Sequence, residues 1–353
     1  MKAIVKIFVL ITFVCVLSKL NSQEKQIFSN FGYGFTSPHH QEMWNYITGH
    51  TKQINLAYLE KRSDLNSHGK NILKGINICF INTGNPETMG YSFGACPEFH
   101  IPIIPNKSLY FLLGCGIEYN TKTYDKDDNY SFSAIGSHFN ALIRLGFYND
   151  FKISNRFKLN TGFFINHFSN GIIKSPNLGL NVLTLNAGLK YQLSEKKHSQ
   201  KKIIENIKSG SWQFVGTGSV KQVKHDQQRS AAFLLSAEKF IKTKHISSFG
   251  FGTDFILDYS MQNRLYEMDK HNYSFSDNIK IALKSSWTIP IGELQIHLQA
   301  GSYLKNSNFK TEFVFERLGL RYFVNKNIGL NIALRAHFAK ADAIEFGVAY
   351  RIE

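Results

Sequence analysis

The chain has 353 residues, with 41 Lys and Arg against 26 Asp and Glu, a net charge of +15, 14% aromatic residues, 26 glycines and only 7 prolines. This composition favours strands, and beyond the N-terminus no apolar run is long enough for a membrane-spanning helix, which excludes a helical membrane protein. The basic surplus suits phosphate-bearing partners, either nucleic acid or a lipid.

The N-terminus carries Lys2 and Lys6, an apolar run from Ile7 to Leu17, and then the polar stretch Ser18-Lys19-Leu20-Asn21-Ser22-Gln23. A basic start, a short apolar core and a small residue before a polar stretch make a secretory leader, expected over 1–22 with cleavage after Ser22. Cys15 lies inside the run without the small residues that precede a lipidated cysteine. About 330 residues remain, with a net charge of +12 once Lys2, Lys6 and Lys19 are gone. For a secreted chain the expected phosphate partner is lipopolysaccharide rather than nucleic acid. Cys79, Cys96 and Cys115 have no CxxC spacing. They suggest no metal site and are expected as small packed residues, with a single disulfide left open. No cofactor is implied.

About sixteen segments then show apolar residues recurring at period two. Leu109, Phe111, Leu113, Cys115, Ile117 and Tyr119 alternate with Tyr110, Leu112, Gly114, Gly116, Glu118 and Asn120. At the C-terminus Ile344, Phe346, Val348, Tyr350 and Ile352 alternate with Glu345, Gly347, Ala349 and Arg351. One face is apolar while the other carries glycines and charges, as in a barrel with lipid outside and a polar lumen. A soluble β-sandwich also alternates, but here the apolar residues reach the strand ends and aromatics cluster there. The expected fold class is all-β, an antiparallel transmembrane β-barrel of a Gram-negative outer membrane.

Short turns are expected at Pro105-Asn106-Lys107, Thr243-Lys244 and Val324-Asn325-Lys326-Asn327, and longer outer loops at 125–133 and 261–277. An even strand count places both termini in the periplasm and the His167 segment at the outer end of an ascending strand.

In Phe163-Phe164-Ile165-Asn166-His167-Phe168-Ser169-Asn170, residues two apart share a face, so His167 and Ser169 follow Phe163 and Ile165 onto the lipid side. Imidazole beside hydroxyl is the minimum for nucleophilic ester hydrolysis, with His167 taking the proton of Ser169. The plainer alternative is that both sit among lipid headgroups.

Weak internal echoes follow. Asn129-Tyr130-Ser131-Phe132-Ser133 returns as Asn272-Tyr273-Ser274-Phe275-Ser276, Gly114–Glu118 as Gly250–Asp254, and Gly188-Leu189-Lys190-Tyr191 as Gly319-Leu320-Arg321-Tyr322. Two barrel-like regions are expected at 23–194 and 211–353, joined by a polar linker or turn at 195–210. A single barrel of about sixteen strands is preferred over two barrels of eight, because the halves could pair edge to edge and leave no free strand. A second His-Phe pair, His337-Phe338, lacks a following serine. Its alternation turns Arg335 and His337 into the lumen, toward a polar network with Glu345, and Glu118 and Asp254 are expected to face inward likewise.

With His167-Phe168-Ser169-Asn170, Pro176-Asn177-Leu178-Gly179-Leu180-Asn181 and Gly136-Ser137-His138-Phe139-Asn140 in view, the first half resembles the PagL-type lipid A 3-O-deacylases. These are outer-membrane serine esterases, and the whole chain is similar to their longer relatives labelled acyloxyacyl hydrolases. The resemblance implies that Ser169 is the nucleophile, His167 the general base, Asn177 the oxyanion-hole asparagine and Asn170 the adjacent motif asparagine. It implies lipid A in the outer leaflet as substrate. Fourteen residues after the histidine the family has an orienting glutamate, and this chain has Asn181. Asn181 is expected on the lipid face beside His167 across a tight hairpin, where an amide can hold the imidazole but adds no negative charge. Asn181→Glu is therefore expected to raise turnover or shift the pH–rate profile. Against the esterase stands a non-catalytic barrel, structural or porin-like, with a degenerate motif. A weaker third idea makes the second half a lumen plug or a partner-binding extension.

Overall fold

The computed structural model describes residues 24–61, 72–104, 108–193, 210–242, 247–268, 272–291, 293–307, 312–338 and 340–352. The leader expected over 1–22, the turns expected at 105–107 and 243–244, and all but the last residue of the linker expected at 195–210 lie outside the described residues. The first half folds into strands β1 (Glu24–Ser37), β2 (Thr51–Lys61), β3 (Leu73–Asn82), β4 (Tyr91–Pro102), β5 (Leu109–Asn120), β6 (Phe139–Lys152), β7 (Phe157–Ser169) and β8 (Leu180–Gln192). The second half continues with β9 (Trp212–Lys221), β10 (Ser230–Lys242), β11 (Ser248–Asp258), β12 (Ile279–Ile291), β13 (Leu294–Lys305), β14 (Val314–Phe323), β15 (Ile328–His337) and β16 (Lys340–Ile352). No described helix is long and apolar enough to cross a membrane.

Each strand pairs antiparallel with the next, and the closure differs from the single barrel expected. β8 returns to β1 in register from Gln26↔Gln192 to Ser37↔Asn181, while β16 returns to β9. The chain thus forms two closed eight-stranded barrels. Closure of each half already removes the free edges that a single sixteen-stranded barrel would have removed, because β1 takes the free edge of β8. The internal echoes do not mark corresponding strands. They relate β5 to β11 and β8 to β14, six strands apart, whereas equivalent positions in the two barrels lie eight apart.

The alternation expected of the wall is present. On β5, Leu112, Gly114, Gly116 and Glu118 are buried while Phe111, Leu113, Ile117 and Tyr119 turn outward. Outward-facing Phe31, Tyr33, Phe35, Ile54, Leu56 and Tyr58 give the first barrel an apolar exterior, and Phe233, Leu235, Phe251, Phe255 and Leu283 do so for the second.

Both interiors are filled by side chains, as an eight-stranded barrel allows. In the first barrel a polar layer centres on Arg144, whose Nε lies 3.5 Å from Glu98 and whose Nη1 donates to Asn77 and Asn55. Glu98 also meets His100 Nε2 at 2.8 Å. One side of this layer is packed by Phe28, Leu59, Leu112, Tyr148 and Phe164. The other side departs from the polar lumen expected. There Phe168, Leu180, Val182 and Leu142 form an apolar cluster with Met43 of a short 3-10 turn (Gln41–Asn45), and with Tyr46, Met89, Phe132 and Ile135 from the loops. The loops fold inward and close that mouth because their own apolar residues need burial.

In the second barrel an apolar cluster of Leu234, Ile256, Ala282, Tyr303 and Phe315 shares the interior with a network of charges. Lys221 bonds Asp258 at 2.6 Å and Asp342 at 3.0 Å, Arg335 bonds Asp342 at 3.0 Å, and Arg317 joins Asp254 at 2.9 Å to Glu345 at 2.8 Å. His337 faces inward as expected, but its partners are Tyr303 at 3.0 Å and Glu312 at 3.9 Å. Besides Arg317, the residue that reaches Glu345 is Arg335, at 3.3 Å.

Candidate active site

At the loop-closed end of the first barrel, β6, β7 and β8 bring together the residues singled out from sequence. Register sets His167 directly opposite Asn181, and Ser169 opposite Ala141. Directly opposed side chains share a face and lie within reach of each other, and Asn181 Oδ1 sits 2.7 Å from His167 Nδ1. The contact expected between them is present, although not across a tight hairpin. The connection runs through residues 170–179 and re-enters β8 at Gly179, whose φ is +83°.

Ser169 ends β7, two residues beyond His167 on the same face. Two residues of strand span about 6.6 Å, a gap an imidazole can bridge. Among the described residues no hydrogen bond joins the two side chains, and such bonds commonly tighten only in the substrate complex. The serine does not project freely from a rim as expected: it is only 3% exposed. Gly179 lies over it. A Cβ added at Gly179 would stand 2.9 Å from His167 Cε1 and 3.5 Å from Ser169 Cβ. The glycine thus serves a turn that needs positive φ and a close approach that excludes a side chain.

The two asparagines have separate tasks. Asn177 Oδ1 accepts the backbone N–H of Asn170 at 3.0 Å, which spends that amide. Asn177 Nδ2 is buried with no protein partner, a donor left over beside the turn that follows Ser169. Asn170 Nδ2 donates to Ser137 Oγ at 2.9 Å, Ser137 Oγ donates to the Phe139 carbonyl at 3.0 Å, and Asn140 Nδ2 donates to buried Glu118 at 2.9 Å. The Gly136–Asn140 segment therefore anchors Asn170 to the barrel interior. His138 is not part of the cluster: its Nδ1 pairs with the Asn120 carbonyl at 2.7 Å and its ring stacks on Tyr119.

Loop-to-loop bonds hold the segment in place. The amides of Leu178 and Gly179 donate to the carbonyls of Ser133 and Ala134, at 3.3 and 2.9 Å. Sequence reasoning missed Gly179 as a close neighbour of the pair, and it missed His39. His39 Nδ1 lies 3.2 Å from Asn181 Nδ2, and His39 Nε2 lies 2.9 Å from the Leu178 carbonyl. Only the X-Pro-His ending of β1 hinted that the chain turns back there.

Elsewhere among the described residues, Glu312, His337 and Asp342 converge closely enough to hold a metal ion. Their carboxylates are already engaged by Lys221, Arg264, Lys280 and Arg335, so the group is an ion-pair network with little left to offer a cation.

Residues 26–190 match the family model described as lipid A 3-O-deacylase (PagL), and residues 210–353 match that of the acyloxyacyl hydrolase C-terminal domain. No curated protein matches the chain. Among solved structures, the outer membrane protein Omp33 of Acinetobacter baumannii is 9% identical over 94% of this chain and 98% of its own, with a TM-score of 0.19. A Rhodopseudomonas blastica porin triple mutant is 8% identical over 93% and 99%, with a TM-score of 0.20. Overlaps that slight carry no argument.

Proposed function

The chain belongs to the lipid A 3-O-deacylase (PagL) family, whose two models span residues 26–190 and 210–353, and from that premise we propose that it is an outer-membrane serine esterase. Its substrate is the 3-O-acyl ester of lipid A or a related outer-leaflet lipid. The observation that carries this reading is the His167–Asn181 contact at 2.7 Å on the outward face of β7 and β8, with Ser169 two residues further along β7 on the same face.

Asn181 Oδ1 accepts the Nδ1–H of His167, which leaves Nε2 unprotonated. Nε2 removes the proton of Ser169 Oγ as the oxygen attacks the ester carbonyl carbon. The carbonyl π bond becomes an oxyanion, and the N–H of Asn177 Nδ2 stabilises it. Collapse breaks the bond to the sugar oxygen, which takes the proton from His167. Water then attacks the acyl-enzyme by the same route and releases the fatty acid. The outward face of His167 and Asn181 puts the approach to the covered Ser169 on the bilayer side, without drawing the lipid into the lumen. The apolar exterior and the net charge of +12 that remains without Lys2, Lys6 and Lys19 suit an acyl chain and lipid A phosphates.

The non-catalytic, porin-like alternative fares poorly on one point. Among the described residues, Arg144, Lys221 and Arg335 lie buried inside the two barrels, and an eight-stranded barrel is of a size that such side chains occupy rather than leave as an aqueous channel.

Mass spectrometry of lipid A from cells expressing the chain should show loss of one ester-linked acyl chain. Ser169→Ala and His167→Ala should abolish that loss while the protein keeps its heat-modifiable gel mobility. Full activity in either variant would discard the site.

A further inference from the structure

An amide in the orienting position has an ambiguity that a carboxylate lacks. With Oδ1 toward His167, Asn181 accepts the Nδ1–H and leaves Nε2 bare. Rotated by half a turn, its Nδ2 would face Nδ1 and force the ring proton onto Nε2, where the imidazole cannot take a proton from Ser169. Nothing within Asn181 or His167 chooses between the two.

The choice comes from the other neighbour of β8. In register, β1 places Ser37 opposite Asn181, and the chain leaves the strand through Pro38 to His39. His39 Nε2 lies 2.9 Å from the Leu178 carbonyl oxygen. A carbonyl only accepts, so Nε2 carries the proton of the neutral His39 ring and Nδ1 is a lone pair. That lone pair is 3.2 Å from the Asn181 amide nitrogen. It accepts an N–H and would repel an oxygen, so Asn181 must present Nδ2 to His39 and Oδ1 to His167.

We propose that His39 is a positioning residue that fixes the Asn181 amide and, through it, the Nδ1-protonated tautomer of His167. The order is Leu178 carbonyl, His39, Asn181, His167, each hydrogen bond deciding the direction of the next. His39 thereby lets an amide serve as the orienting partner of His167. The kinetic consequence rests on the esterase reading, while the tautomer itself does not.

Three His39 variants separate the effect from mere packing. His39→Asp presents only acceptors and should keep Asn181 as it is. His39→Lys presents only donors and should turn the amide over. His39→Leu removes the bias and should give a mixture. The direct readout is ¹⁵N NMR of histidine-labelled full-length protein in detergent micelles, with the His167 signals assigned by their loss in His167→Gln. Wild type and His39→Asp should show His167 protonated at Nδ1, and His39→Lys should show it protonated at Nε2. On lipid A, His39→Lys should lower kcat by about 10-fold to 10²-fold with KM little changed, short of the roughly 10⁴ that a fully wrong tautomer costs in a serine triad. In an Asn181→Asp background the carboxylate can only accept, so His39→Lys should no longer move the tautomer. Identical His167 spectra in wild type, His39→Asp and His39→Lys would overturn the proposal. Hydrolysis that survives Ser169→Ala would instead remove the esterase reading and leave the tautomer result to judge His39 by itself.

Discussion

Asn177 illustrates how one side chain divides its chemistry. Its oxygen is committed to the Asn170 amide at 3.0 Å, which shapes the turn after Ser169, and its buried Nδ2 is left with no protein acceptor. Leaving a buried donor unpaired costs about 1–3 kcal/mol, a cost that is recovered when an oxyanion arrives. Asn177→Leu should therefore cut turnover by about 10²-fold to 10³-fold, the range for loss of an oxyanion donor, with substrate binding less affected. A steady-state comparison of kcat and KM on lipid A checks this, and an unchanged kcat would remove Asn177 from the reaction. Gly179 makes the complementary point. Its φ of +83° and the 2.9 Å approach to His167 Cε1 leave no space for a methyl group. Gly179→Ala should reduce turnover sharply, with about 1 kcal/mol of backbone strain and a barrel that still shifts on heating. Wild-type rates in Gly179→Ala would show that the imidazole does not depend on this approach.

At the scale of elements, the site is an edge-to-edge arrangement of three strands whose ends are held by loops. β7 supplies His167 and Ser169, β8 supplies Asn181, and the continuation of β1 supplies His39. What steadies them is the apolar cluster inside the mouth, where Phe168 and Leu180 alternate with the outward-facing site residues and pack against Phe132, Tyr46 and Met43. Phe132 is fully buried and meets Tyr46 edge-on at 5.4 Å between centroids. Phe132→Ala should cost about 3–5 kcal/mol of stability through the cavity it leaves. It should also slow hydrolysis, because residues 133 and 134 pin Leu178 and Gly179 from the same loop. Urea midpoints alongside initial rates would test this, and a stability loss without any rate change would uncouple the loop from the site.

At the scale of the molecule, each barrel carries its own closed ladder and its own interior. Both interiors combine apolar clusters with buried ion pairs, and the second has the larger charge network. Asp342 there receives Lys221, Arg264 and Arg335 at once. Removing one member of a buried pair leaves uncompensated charge and costs about 3–5 kcal/mol. Asp342→Asn should therefore lower the temperature at which heat-modifiable mobility is lost, while lipid A hydrolysis measured below that temperature persists. A variant as stable as wild type would mean that solvent or the remaining acids absorb the charge.

Period two was enough to tell the outward from the inward residues of the strands, to count about sixteen of them, and to put His167, Ser169 and Asn181 on one face, because pleating makes alternation a local property. The inward turn of Arg335, His337, Glu118 and Asp254 was legible for the same reason. Closure was not. Whether β8 meets β1 or β9 depends on pairings about 160 residues apart along the chain, and alternation is the same in either case. Nor could the local pattern show that residues of the 121–138 loop would fill the barrel mouth, that Ser169 would be covered, or that His337 would choose Tyr303 over Glu345. His39 lay furthest from view. Its role rests on three elements meeting at Asn181, one being the continuation of β1 and two lying far beyond it in the chain, and only the closed ladder brings a carbonyl, two imidazoles and an amide into one line of hydrogen bonds.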